Sequence, residues 1–201
     1  VYKRQVVVHE NKEKPRFCLD CRAETHGVSL NSVLLTGTGE MKTVYSALQN
    51  TRLFDYLAVG DIKDFFHKVA IAEEDKDAQR FFRWIPGRDD ELECLRMTCN
   101  MFGAACSSTN AAHAFRKNAE VNGKGFSDEV IKAVDGAYVD DVPVCAPSEK
   151  ELIALVHGLI DMCKMGDFTL TKFFSNSRAL LESLPEEARA KDFKDPNLPF
   201  P

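Results

Sequence analysis

The spacing of apolar and polar positions assigns most of the elements of this chain. Residues 5–9 and 16–20 read as short strands separated by the charged loop 10–14, and a loop with Gly and Thr follows. The apolar run from Tyr56 to Val59 predicts a buried strand with Asp61 at its C-terminal end. Residues 79–99 predict a hairpin turning over 86–90, where Pro, Gly and two Asp cluster. Ser107 or Ser108 caps a helix that carries Ala111, Phe115 and Ala119 on one face. Around Tyr138-Val139-Asp140-Asp141, the small residues of 133–137 and the apolar run 142–146 predict a β-hairpin with the acids at its tip. Ser148 and Glu151 form a capping box for a helix with Leu152, Leu155, Val156, Leu159, Ile160 and Cys163 inward. Gly166 ends that helix, and 168–171 returns as a strand. From Pro185 the chain is charged and Pro-rich, the composition of a linker. Strand, helix, hairpin, helix, strand is a split βαβ order: an α+β fold with an antiparallel, ferredoxin-like (RRM-like) sheet and two helices.

Composition narrows this only modestly. With 201 residues and 44% apolar content, the chain can build one large domain or two small ones. No apolar run approaches the roughly 20 residues of a membrane span, so no membrane partner is expected. The start, Val1-Tyr2-Lys3-Arg4, lacks an initiator Met and signal-peptide architecture and reads as a processed piece. Seven cysteines without framework spacing point to reduced thiols and an intracellular setting.

The chemistry concentrates in the acids. Adjacent carboxylates repel and are tolerated in a solvated turn or around a cation. Hard divalent cations take oxygen ligands, and phosphoryl-transfer sites supply one or two carboxylates plus substrate phosphate. A strand-end Asp61 beside the Asp140-Asp141 turn would let two ions sit about 4 Å apart.

A series of blocks then falls in register. They run Arg16-Phe17-Cys18-Leu19-Asp20, Gly27-Val28-Ser29-Leu30-Asn31, Leu34-Leu35-Thr36-Gly37, Asp61-Ile62 to Phe66-His67-Lys68-Val69, and Arg80-Phe81-Phe82-Arg83-Trp84. Arg96-Met97-Thr98, Phe102-Gly103-Ala104, Ser107-Ser108, Tyr138-Val139-Asp140-Asp141, Gly166 to Phe173 and Ser175-Asn176-Ser177 follow. In these blocks the chain resembles the reverse transcriptase domain of LTR retrotransposon polyproteins, most closely the Pao/BEL group. The resemblance implies an RNA-directed DNA polymerase that adds dNTPs to a primer 3′ end on an RNA or DNA template. It divides the chain into fingers (1–55), a palm (56–184, with the finger-side hairpin near 79–99) and a linker (185–201) toward a thumb absent from this stretch. Thumb, ribonuclease H and integrase would be partners within the polyprotein, in a cytoplasmic virus-like particle or the nucleus.

The resemblance also distributes roles. Asp61, Asp140 and Asp141 match the catalytic triad. Asp61, Ile62, Asp140 and Asp141 would form the site for two Mg²⁺, or Mn²⁺, with Asp61 and Asp140 bridging the ions and Asp141 contributing more to local field and geometry. Beside those ions the primer hydroxyl loses its proton and the leaving pyrophosphate is neutralised. Phe66 falls at the steric gate that excludes a 2′-hydroxyl, although one of Phe65 and Phe66 is expected in the core. Backbone groups of Ile62, Lys63, Asp64 and Phe65 would line the triphosphate. Arg16 matches the fingers arginine that grips it. For a second fingers cation, direct spacing lands on His9, with Lys12 or Lys14 as substitutes. Phe102 and Gly103 border the nucleotide, with Gly103 allowing close backbone approach. Lys172 matches a lysine able to protonate pyrophosphate.

Other features favour plainer readings. Cys18-Leu19-Asp20-Cys21 has no second pair at zinc spacing, and Gly37-Thr38-Gly39 lacks the rest of a phosphate loop. Pro143 closely follows the acid turn, which puts it on an edge or bulge. Ser108 and Cys21-Arg22 depart from the family pattern. The net charge of −5 predicts weak, salt-sensitive nucleic-acid binding. The alternatives are a catalytically inactive or truncated remnant acting as a weak nucleic-acid-binding module, and an RNA-directed RNA polymerase, against which the Phe66 gate counts.

Overall fold

A computed structural model describes residues 4–7, 16–38 and 42–190, with the backbone alone at 4–7, 16–18 and 89. In chain order the elements are β1 (Arg4–Val7), β2 (Arg16–Leu19), α1 (Leu30–Val33), α2 (Val44–Asn50), β3 (Tyr56–Ile62), β4 (Arg80–Ile85), β5 (Arg88–Arg96), α3 (Ser107–Asn122), α4 (Asp128–Asp135), β6 (Asp141–Ala146), α5 (Glu149–Met165), β7 (Leu170–Ser175) and α6 (Arg178–Ser183). Short 3₁₀ turns cover Phe65–Lys68, Glu73–Gln79 and Glu186–Ala188. The expected α+β class with antiparallel sheets is what the structure shows. None of the described helices is long and apolar enough to cross a membrane. The chain divides into two compact units, one of Val1–Gly39 with Phe66–Ala111, the other of Glu40–Phe65 with Ala112–Pro201.

The first unit carries two antiparallel two-stranded sheets, β1-β2 and β4-β5. The β4–β5 turn is tighter than the sequence suggests: Pro86-Gly87 alone makes it, with Gly87 at φ +80. Leu19, Cys21, Leu30, Phe81 and Met101 form its core. The Cys21 thiol lies 3.4 Å from the Met101 sulfur, and burial lifts its pKa to about 11, as expected of an inert core thiol. Ser107 does not cap α3. It is buried as the first helical residue, and its hydroxyl donates to the Met101 carbonyl at 2.6 Å.

The second unit is built on the three-stranded sheet β6-β3-β7, antiparallel throughout. Its buried face carries Ala58 and Ile62 of β3, Val142, Val144 and Ala146 of β6, and Leu170, Phe173 and Ser175 of β7. α5 packs on β3 and β6. It is capped by Ser148 and buries Leu152, Val156, Leu159, Met162 and Cys163, while Leu155 and Ile160 are only partly covered. Gly166 ends α5 without adopting left-handed backbone (φ −100). Asp167 does so instead (φ 61), and Gly166 is required because a Cβ there would lie 2.1 Å from Asn118 Oδ1.

The expected hairpin at the acid turn is only half formed. Its first arm is α4, where Ser127 caps the N-terminus and Val130 and Val134, at i and i+4, are buried. That helix leaves only Tyr138 to pair, in a single bridge to Asp141. Pro143 sits on β6, at the edge of the sheet, as expected. Ile62 N–H donates to the Asp140 carbonyl at 2.7 Å, so the bonded pairs fall on alternate residues and the Val59–Pro143 pair needs no N–H from Pro143. Residues 185–190 are folded: Ala190 is buried and its N–H donates to the Phe173 carbonyl.

Candidate active site

The open face of the β6-β3-β7 sheet brings three of the expected residues onto neighbouring strands. Asp61 lies one residue before the end of β3, on the face opposite Ala58 and Ile62. Asp141, the first residue of β6, stands directly opposite it in the ladder. Theirs is a non-hydrogen-bonded pair, the kind that brings Cα atoms to about 4.5 Å. Like charges in that position weaken a sheet. Asp140 precedes Asp141 in a tight turn closed by Tyr138 N–H to the Asp141 carbonyl (2.8 Å) and Asp141 N–H to the Tyr138 carbonyl (3.0 Å). Val139 takes left-handed backbone there (φ 54). For a β-branched residue this costs about 1–3 kcal/mol and persists only where the surroundings impose it.

Lys172 reaches the same face by an irregularity of β7. Val59 pairs with Phe174 and Asp61 with Thr171, so Lys172 and Phe173 together stand opposite Gly60. This bulge, with Lys172 at φ 53, puts both Thr171 and Lys172 off the buried face. The Lys172 ammonium lies 2.7 Å from Asp61 Oδ1. The Asp141 carboxyl is held above the usual carboxylate range, first by partial removal from water, then by the charges of Asp140 and Asp61, with Lys172 opposing.

The other expected residues separate as follows. The Ile62 side chain is buried and its N–H is taken by Asp140, leaving its own carbonyl as a possible donor atom. Lys63 is exposed, but its N–H donates to the Thr169 carbonyl and is not open to a triphosphate. Asp64 is exposed at φ 54. Phe65 is the core member of the aromatic pair, against Phe115 and Phe168 in the second unit. Phe66 belongs to the first unit, where its ring meets that of Phe102 edge-on at 5.1 Å. Gly103, also in that unit, has φ +98, and a Cβ would lie 2.8 Å from the Leu19 carbonyl. Its own carbonyl accepts from the Asn31 side chain, which also accepts from Ala105 N–H. Arg16 lies in β2 with its side chain outside the described residues, and His9, Lys12 and Lys14 lie outside them altogether.

The sequence blocks include Asn31 and Phe173, but sequence reasoning assigns no role to them or to Gly60. Gly60 was detectable, since an isolated Gly in a strand marks a bulge or a close approach. Here a Cβ would lie 2.6 Å from the Phe173 ring.

The donor chemistry suits hard divalent cations: opposed carboxylates, a third acid adjacent, oxygen ligands only. Yet among the described residues no three His, Cys, Asp or Glu gather closely enough to hold one ion.

Two solved structures are similar to this chain. A foamy viral protease-reverse transcriptase in complex with double-stranded DNA aligns with TM-score 0.57 and 17% identity over 81% of this chain. A foamy viral protease-reverse transcriptase in complex with an RNA/DNA hybrid aligns with TM-score 0.58 and 16% identity over 80%. The fold is reverse-transcriptase-like. The chain spans 25% and 19% of those two proteins, respectively. No family model and no curated protein matches it.

Proposed function

We propose that this chain is the fingers and palm region of an RNA-directed DNA polymerase of the Pao/BEL retrotransposon type. The observation that carries the reading is the register of Asp61 against Asp141, with Asp140 in the adjoining turn, on the open face of the antiparallel sheet. A reverse-transcriptase-like fold supports it, as do the sequence blocks in order. In this reading Asp61, Asp140 and the Ile62 carbonyl hold divalent cations, Mg²⁺ or Mn²⁺, which when bound supply positive charge to the primer hydroxyl and the triphosphate. Asp141 keeps the local field negative. Phe66, Phe102, Gly103 and Arg16 are assigned to the nucleotide, and a primed RNA or DNA template is the partner. Thumb, ribonuclease H and integrase would belong to the same polyprotein, inside a cytoplasmic virus-like particle or the nucleus.

The absence of a gathered three-acid cluster among the described residues favours a second reading, a remnant that binds nucleic acid weakly without turnover. Primer extension on an RNA template with dNTPs and Mg²⁺, beside Asp140→Asn, separates the two. The polymerase reading expects extension that falls about 100- to 1000-fold in the variant, the usual loss when one group stabilising transition-state charge is removed. Extension of equal rate in both proteins would sink the site assignment. Extension by neither, in this chain and in one continued past Pro201, would favour the remnant.

A further inference from the structure

Three observations converge on Lys172. The β7 bulge sets two residues, Lys172 and Phe173, opposite Gly60. Phe173 is fully buried, and its ring fills the space that any other residue at 60 would occupy, so Gly60 and the bulge are fitted to each other. The ammonium that results is 2.7 Å from Asp61, with the lysine side chain 64% exposed and that of Asp61 24% exposed. The position of the charge is therefore built into the sheet, while the group itself sits on a mobile stem in water.

We propose that Lys172 is a resident counter-ion of Asp61, seated by the bulge, which a divalent cation displaces before Asp61 ligates it. The inference rests on the polymerase reading of the acids. It accounts for a site whose donors suit a divalent cation although no three of its acids converge on one point. Asp61 cannot face the Asp141 side and Lys172 equally, and the nearest positive charge holds it. A singly charged, largely exposed ammonium is a weak hold, worth about a factor of two to five. A divalent cation carries twice the charge and binds the oxygens directly, so exchange favours it. Lys172 offsets part of the repulsion between the two opposed carboxylates while leaving the site exchangeable.

The test is Mn²⁺ titration of the full chain, followed by electron paramagnetic resonance of the free ion, on wild type, Lys172→Met, Lys172→Arg and Asp140→Asn. Met preserves the length of the exposed stem and removes only the charge. Lys172→Met should bind Mn²⁺ about two- to fivefold more tightly than wild type, Lys172→Arg should match wild type, and Asp140→Asn should bind more weakly. Equal or weaker binding by Lys172→Met, with Asp140→Asn still impaired, overturns the counter-ion role and leaves the metal site standing. Wild type that does not bind Mn²⁺, or binds it as well as Asp140→Asn, overturns the metal site and the counter-ion role together.

Discussion

At the scale of single residues, Asp141 is where the charge crowding registers. Its carboxyl is held above the ordinary carboxylate range by lost hydration and by Asp140 and Asp61. The folded chain therefore holds this proton more tightly than the unfolded chain does. The resulting stability is fully present below the unfolded carboxylate pKa of about 3.9 and is lost as pH rises through the raised folded value. At neutral pH the ionised Asp141 is thus a net cost to folding. Asp141→Asn should melt at a higher temperature than wild type at pH 7, with the difference shrinking toward zero near pH 3. A variant melting lower than wild type at pH 7 would mean that the carboxylate makes a stabilising contact. The same scale explains an ambiguity in the sequence. Phe65 and Phe66 are indistinguishable by hydropathy, and only the 3₁₀ turn after β3 sends the first into the core.

At the scale of elements, the decisive device is Gly60 against the β7 bulge. An alanine at 60 would place its Cβ 2.6 Å from a Phe173 ring that is 0% exposed and has nowhere to go. Gly60→Ala should cost about 1–3 kcal/mol of stability, the range for overpacking a filled core. Denaturant unfolding measures it, and a cost below about 0.5 kcal/mol would show that the ring yields. What the sequence reveals at this scale follows periodicity. β3, α5 and the β4–β5 hairpin are legible because each has one dominant pattern and clear boundary residues. The acid hairpin is not, because residues 133–137 are small enough to suit strand or helix. The capping Ser127 and the buried pair Val130 and Val134 settle the matter for α4. Asp61 and Asp140-Asp141 stand out as acids, but their register is a property of the ladder, visible only once β3 and β6 are paired. Lys172 stands near Asp61 only because β7 carries an extra residue, which no hydropathy pattern encodes.

At the scale of the whole molecule, charge bears on the nucleic-acid binding that the proposed function requires. Lys and Arg number 26 against 31 Asp and Glu. Five arginines are also committed: Arg96 to Glu73 and Asp77, Arg80 to Asp77, Arg83 to Glu93, Arg88 to Glu91, and Arg178 to Glu182. Among the described residues, Arg22, Lys42, Arg52, Lys63, Lys124, Lys132, Lys150 and Lys164 are exposed outside these pairs and open to phosphate. Each phosphate neutralised contributes roughly 0.9 to the slope of log affinity against log salt. If the net charge of −5 limits engagement to about two phosphates, affinity should fall only about tenfold between 50 and 200 mM salt. Fluorescence anisotropy of a labelled primer–template across that range would measure the slope. A fall of a thousandfold or more would mean that a broad basic surface engages the nucleic acid. A flat response would mean that phosphates are not what this chain grips, and the weight of recognition would shift to groups such as the exposed Trp84 and Phe82 of the β4–β5 hairpin.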